Sequence, residues 1–192
     1  RRALEQMGRN GVSKPLSLAA APKDAETELQ NQRRGICAVA DSCITLQRQK
    51  MGALIVFERK TKLKEIVDTG TIVNAEPTPA IISNIFFNKA PLHDGAMVMR
   101  DGMVYAAGCI LPLTKNDSIS IDLGTRHRAA IGMSENSDAV VVVVSEETGQ
   151  ISIAVNGILT RNYTRETLVS ALQTLTLPES NGEKKTGLFS RR

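Results

Sequence analysis

Three short stretches gather the residues whose types could do chemistry. The first is Leu92-His93-Asp94-Gly95-Ala96. Asp-Gly is a common hairpin signal, but the residues before Asp94 are Ala-Pro-Leu-His, which do not read as a strand. This Asp-Gly therefore sits where a loop enters a strand, and Gly95 beside the carboxylate lets a ligand approach the backbone closely. The second is Gly124-Thr125-Arg126-His127-Arg128, at the start of a helical pattern. A helix N-terminus already carries partial positive charge, so two arginines in its first turn are locally unfavourable unless an anion arrives. Free N–H groups, a Thr hydroxyl and guanidiniums together describe a phosphate cradle. The third is Ser145-Glu146-Glu147-Thr148-Gly149, at the end of a valine run. The two histidines of the chain, His93 and His127, lie in the first two stretches. A His, an Asp and a Glu could hold a divalent cation beside phosphates. Each stretch also has a plainer reading. Asp94 could cap a turn, the arginines could pair with an acid such as Asp122, and the third stretch could be an ordinary polar hairpin loop.

The elements that must position these residues follow from periodicity. Ala25, Leu29, Ile36, Val39, Cys43 and Leu46 form an apolar stripe that predicts one long helix over about 23–48, with Pro22, Asp24 and Glu26 suited to its first turn. Residues 52–59 are rich in β-branched side chains and predict a strand. A short helix ending at Gly70 and another over 79–87 follow. Two strand-like runs then flank Asp101-Gly102, the type I′ hairpin signature. A helix over 124–135, a strand over 139–145 buried on both faces, and a second strand over 151–155 complete the middle. Thr164 is placed to cap a last helix that carries Leu168, Leu172 and Leu175 on one face. Helices mixed with strands and hairpins predict an α/β domain with a mixed central sheet flanked by helices.

The chain has 192 residues and a formal net charge of +4. Its surplus cations sit at the ends, at Arg1, Arg2, Arg9 and Lys14 and at Lys184, Lys185, Arg191 and Arg192, leaving a near-neutral body. Aromatics make up 3% of the residues, too few for a base-stacking platform, and the body lacks a broad basic footprint. Nucleic acid is therefore not an expected partner. Cys37, Cys43 and Cys109 show no CxxC pair and are expected as free thiols in a reducing cytoplasm. We divide the chain into a basic segment and linker over 1–21, a folded domain over 22–178 and a polar, unstructured tail over 179–192. The abrupt opening without Met suggests the downstream part of a longer protein.

Taken together, the Asp-Gly-Ala, Gly-Thr-Arg-His-Arg-Ala-Ala and Ser-Glu-Glu-Thr-Gly stretches resemble the diadenylate cyclase domain. The similarity runs from the long helix through Asn156-Gly157-Ile158-Leu159-Thr160-Arg161 and into the last helix. It is nearer to the membrane type than to the DNA-scanning type, in which a helical linker and a helix-hairpin-helix domain follow. The resemblance implies condensation of two ATP molecules to cyclic di-AMP and two pyrophosphates, across a face-to-face homodimer. It implies that Asp94 helps activate the attacking ribose 3′-hydroxyl, and that His93 and Glu147 hold Mn²⁺ or Mg²⁺. Nucleotide contacts would come from Gly95, Ala96, Gly124, Thr125, Arg126, His127, Arg128, Ser145 and Glu147, with Leu111 near the adenine. Ala129 stands where the DNA-scanning type has a Thr, so one phosphate contact of that type is missing. A membrane regulator protein and a phosphoglucosamine mutase are implied as partners. The N-terminal arginines would then lie on the cytoplasmic side of a membrane anchor upstream. A nucleotide or cyclic-dinucleotide binding module of the same fold, without turnover, is the alternative.

Overall fold

The computed structural model describes residues 22–116 and 123–178. The expectations for the basic segment, the tail and Asp122 lie outside these residues. Helix α1 (Pro22–Gln49) is followed by β1 (Ala53–Phe57), α2 (Lys64–Val67), β2 (Thr71–Ala75) and α3 (Pro79–Ile85). Next come β3 (Ala96–Arg100), β4 (Met103–Cys109), α4 (Thr125–Glu135), β5 (Val140–Val144), β6 (Ile151–Val155), β7 (Ile158–Arg161) and α5 (Arg165–Thr176). The strands form one mixed sheet in the order β2-β4-β3-β1-β5-β6-β7. Only β1 and β3 pair in parallel; the other neighbours are antiparallel.

Side-chain alternation divides the core between the two faces of the sheet. Val140, Val142 and Val144 join Ile55 and Phe57 beneath α1, α3 and α5, where Val39, Leu46, Phe86, Leu168 and Leu172 pack. Val141 and Val143 face the other way, with Leu54 and Val56, against Ala129, Ala130 and Met133 of α4. The valine strand is thus fully buried, as its composition predicts, although both its partners run antiparallel to it. Helices on both faces bury it, not a parallel ladder.

Local signals account for the ends of elements. Thr164 accepts the Thr167 N–H at 3.3 Å and Thr167 returns a bond to the Thr164 N–H at 2.8 Å, a reciprocal cap that starts α5. Thr78 caps α3 in the same sense, with Pro79 in the first turn. Asp101 and Gly102 have φ of 51° and 78°, the two positive values a type I′ turn requires. Gly102 has a second reason to lack a side chain. A Cβ there would lie 2.7 Å from the Asn31 carbonyl carbon, so the hairpin tip seats directly on α1.

Candidate active site

The strand directions bring the three stretches together. Because β1 and β3 are parallel and β5 is antiparallel to β1, the starts of β1 and β3 meet the end of β5. The end of β4 lies beside the start of β3, through the Ala96–Cys109 pair. The start of β6 and the end of β7 join through Ser152 and Arg161. Gly52, Asp94-Gly95, Cys109–Leu111, Ser145–Glu147 and Arg161 therefore share one end of the sheet. The N-terminus of α4 closes over the same end.

A cavity of about 810 Å³ opens there. Asp94, Gly95, Leu111, Gly124, Thr125, Arg126, His127, Ser145 and Glu147 all line it. Its size suits a small-molecule ligand such as a nucleotide. Its wall is apolar along Leu54, Ile110, Leu111 and Leu113 and polar at the helix start and the Ser-Glu-Glu loop. Three of the residues singled out from sequence are not in the wall: His93, Ala96 and Arg128. Ala96 is fully buried in β3, so its side chain is core. His93 is half-buried next to Asp94, and Arg128 is half-buried on α4, where its carbonyl accepts the Thr114 N–H at 3.1 Å.

The helix start has the features of an anion site. Gly124 provides no side-chain cap, and a Cβ on it would meet nothing within 4 Å. The first N–H groups of α4 are thus left for an incoming acceptor. Arg126 already has an anion, since its Nη1 donates to Glu146 Oε2 at 2.7 Å. A local ion pair thus forms at this arginine, with Glu146 as the acid, and it engages one of the five guanidinium N–H donors. His127 is largely buried, at 8% exposure, within the cavity wall. Burial pushes its pKa down, the charge of Arg161 lowers it further, and Glu147 opposes them, so the ring is held neutral near pH 7.

The Ser-Glu-Glu loop is a tight turn with its own support. Ser145 Oγ accepts the Thr148 N–H at 3.2 Å, and the Gly149 N–H donates to the Ser145 carbonyl at 2.9 Å. From α1, Gln47 Nε2 donates to the Gly149 carbonyl at 2.9 Å. The long helix thereby fixes the loop that presents Glu146 and Glu147.

Gly95 needs its lack of a side chain for a different reason from the one its neighbour suggests. Its φ is +120°, and a Cβ would lie 2.7 Å from the Gly108 carbonyl carbon and 2.9 Å from the Cys109 oxygen. The close approach is made by β4, where the strand pairing shifts register between Ala96 and Val98. Asp94 lies just before the start of β3 and is exposed on the cavity wall. Cys109, also in the wall, has its thiol pushed up to about 11 by burial and is no nucleophile.

The donors suit a divalent ion that is shared with a ligand. Among the described residues, no three His, Cys, Asp or Glu side chains gather into a metal cage. His93 Nδ1 lies 2.6 Å from the Ala90 carbonyl. Only an N–H can partner that oxygen, which in the neutral ring leaves the Nε2 lone pair for a metal. Asp94 and Glu147 add exposed carboxylates, and hard divalent ions complete such partial sets with phosphate oxygens and water.

Sequence reasoning did not single out Arg161 and Gln150, which also line the cavity, and gave Thr148 of the third stretch no role. Arg161 was detectable only as a cation ending a short strand that itself went unassigned. Gln47, which supports the site from outside its motifs, gave no local signal.

Comparison with known proteins shows the family of the chain. The profile of the family described as "DAC: DisA bacterial checkpoint controller nucleotide-binding" matches residues 40–159. Cyclic di-AMP synthase CdaA of Bacillus subtilis is 40% identical over 173 residues, covering 90% of this chain and 60% of the relative. A diadenylate cyclase of Listeria monocytogenes is 35% identical over 195 residues, covering 100% of this chain and 66% of the relative. The chain thus spans about 60% of the first relative's length. A crystal structure of a double cysteine mutant of DacA from Staphylococcus aureus superposes with a TM-score of 0.71 at 38% identity, covering 81% of this chain and 99% of that one. With its mixed seven-stranded sheet, its cavity motifs and these relatives, the chain belongs to the DAC family of diadenylate cyclases.

Proposed function

We propose that this chain is the catalytic unit of a diadenylate cyclase that joins two ATP molecules into cyclic di-AMP with release of two pyrophosphates. The observation that supports this most is that Asp94, the Thr125-Arg126 helix start, Ser145 and Glu147 line one nucleotide-sized cavity in a member of this family. In the reaction, the 3′-oxygen of one ATP attacks the α-phosphorus of the other. A P–O bond forms, the bond to pyrophosphate breaks, and the 3′-hydroxyl proton leaves; two such steps close the ring. In this reading Asp94, an exposed carboxylate on the cavity wall, takes that proton. Thr125, the α4 N–H groups and Arg126 hold phosphate oxygens, with Arg128 and Arg161 adding positive charge nearby. The apolar wall at Leu111 takes the base, and Ser145 orders the loop beside the phosphates. His127, neutral and largely buried, supports the helix start without opposing the cations there.

The family's chemistry uses a divalent metal, for which His93 and Glu147 are the proposed protein ligands and Mn²⁺ or Mg²⁺ the proposed ions. Such an ion supplies neutralisation of charge on the reacting phosphate when bound. Among the described residues each chain presents one such cavity, whereas each 3′-hydroxyl must reach the phosphate of another nucleotide. Two chains facing each other about a two-fold axis meet that need, and the product has the same symmetry. Specific activity is accordingly expected to rise with enzyme concentration, and a chelator to abolish it. Turnover independent of concentration by a demonstrated monomer would refute the dimer.

No helix among the described residues is long and apolar enough to cross a membrane. The proposed anchor lies upstream of Arg1, and control by a membrane regulator and a phosphoglucosamine mutase belongs to the same reading. The full-length gene product should sediment with membranes after lysis and resist extraction by salt. Recovery of all of it in the soluble fraction would contradict the anchor.

A further inference from the structure

Gly52 is buried at the start of β1 and belongs to none of the three motifs. Its backbone does not require glycine, since it is absent from the residues of positive φ. What occupies the space of a side chain there is the end of Arg126. A Cβ on Gly52 would lie 2.7 Å from Arg126 Nη1 and 2.8 Å from its guanidinium carbon, with Glu146 Oε2 next at 3.1 Å. At Gly95 and Gly102 the same space is filled by main chain, which cannot yield, and φ is positive as well. At Gly52 the obstruction is the far end of a flexible side chain, which can move. An added methyl therefore costs the fold little, but it expels the guanidinium from its slot.

We propose that Gly52 is a positioning residue for Arg126. Its missing side chain forms the floor of the slot in which the guanidinium lies, while Glu146 fixes the guanidinium from the side through the 2.7 Å bond. The slot faces the cavity, because both Arg126 and Glu146 line it. An arginine left free on an exposed helix turn would sample many rotamers, and holding it beforehand removes that entropic cost from nucleotide binding. The inference rests on the reading of Arg126 as a phosphate ligand.

The test is a double-mutant cycle of Gly52→Ala and Arg126→Ala, read by calorimetric binding of a non-hydrolysable ATP analogue with Mn²⁺, and by thermal unfolding. Gly52→Ala alone should weaken binding about tenfold, the scale of one charge-assisted hydrogen bond. Its unfolding midpoint should stay within about 2 °C of the parent. In the Arg126→Ala background, Gly52→Ala should have no further effect on binding. Parental affinity in Gly52→Ala, or an equal loss in both backgrounds, would overturn the role of Gly52 while leaving that of Arg126 intact. A midpoint lowered by more than about 5 °C would assign Gly52 to folding instead. Parental affinity in Arg126→Ala would overturn the phosphate reading of Arg126, and the role of Gly52 with it.

Discussion

Replacing Asp94 with Asn is expected to lower cyclic di-AMP formation by at least about 100-fold, the usual contribution of a positioned general base. The change keeps the shape of the side chain and removes its ability to take a proton. Asp94 is exposed on the cavity wall, so Asn is easily accommodated there. The proposed phosphate-binding groups lie on α4 and the Ser-Glu-Glu loop, away from Asp94 in sequence, so ATP binding should survive. Asp101 provides the internal control. It has the same Asp-Gly context, but a φ of 51° places it in the hairpin turn, a conformation that Asn adopts readily. Asp101→Asn should leave activity and stability unchanged. Parental activity in Asp94→Asn would remove Asp94 from the mechanism, and a loss of ATP binding would give it another role.

Glu58→Gln is expected to destabilise the fold by about 3 kcal/mol, the scale of breaking a buried ion pair. The Glu58 side chain has no exposed surface, and both its oxygens are engaged. Arg100 Nε and Nη2 donate to Oε1 and Oε2 at 2.7 Å each. Lys62 Nζ adds a bond to Oε1 at 3.0 Å and the Leu63 N–H one to Oε2 at 2.9 Å. Arg100 also stacks over the Tyr105 ring at 3.7 Å. Glutamine cannot satisfy this ring of donors and leaves the arginine charge unpaired. The melting midpoint should fall by roughly 6–12 °C. The effect must depend on pH. Burial raises the Glu58 pKa, but the Arg100, Leu63 and Lys62 hydrogen bonds and the Arg100 charge outweigh it and hold it below the usual carboxylate range. A lowered native pKa means stability that is complete above the unfolded value of about 4.3 and lost as the pH falls through the native one. The gap between parent and variant should therefore be full at neutral pH and shrink in acid below about pH 4. A gap that is the same at both pH values would show that packing, not charge, is lost.

Much of the architecture was written locally. The valines of β5, the Thr164 cap of α5 and the Asp101-Gly102 turn each name their own structure, because burial, capping and positive φ act over a few residues. The edge strands β2 and β7 were not legible. Each pairs on one side only and is largely exposed, so neither shows a hydrophobic period, and Asn74 at φ 48° interrupts β2. The three site motifs were visible as residue types, and the sheet brings them to one cavity. Their supports were not visible, since they lie far away in sequence. Gln47 on α1 reaches Gly149 and Arg126 on α4 finds Glu146, both through packing of helices against the sheet that no local pattern encodes. Gly95 shows the limit from the other side. From sequence, its lack of a side chain is assigned to an approaching ligand, whereas the backbone pressing on it is that of β4.

The central claim is that this cavity turns over ATP and does not merely bind it. The direct measurement is to incubate the purified protein with ATP and Mn²⁺ and analyse the products by liquid chromatography with mass spectrometry. The account predicts cyclic di-AMP and pyrophosphate in a ratio of one to two, absent without metal and absent with Asp94→Asn. Binding of ATP or cyclic di-AMP with no product under these conditions, at enzyme concentrations that support dimers, would contradict it and leave a nucleotide-binding module in its place.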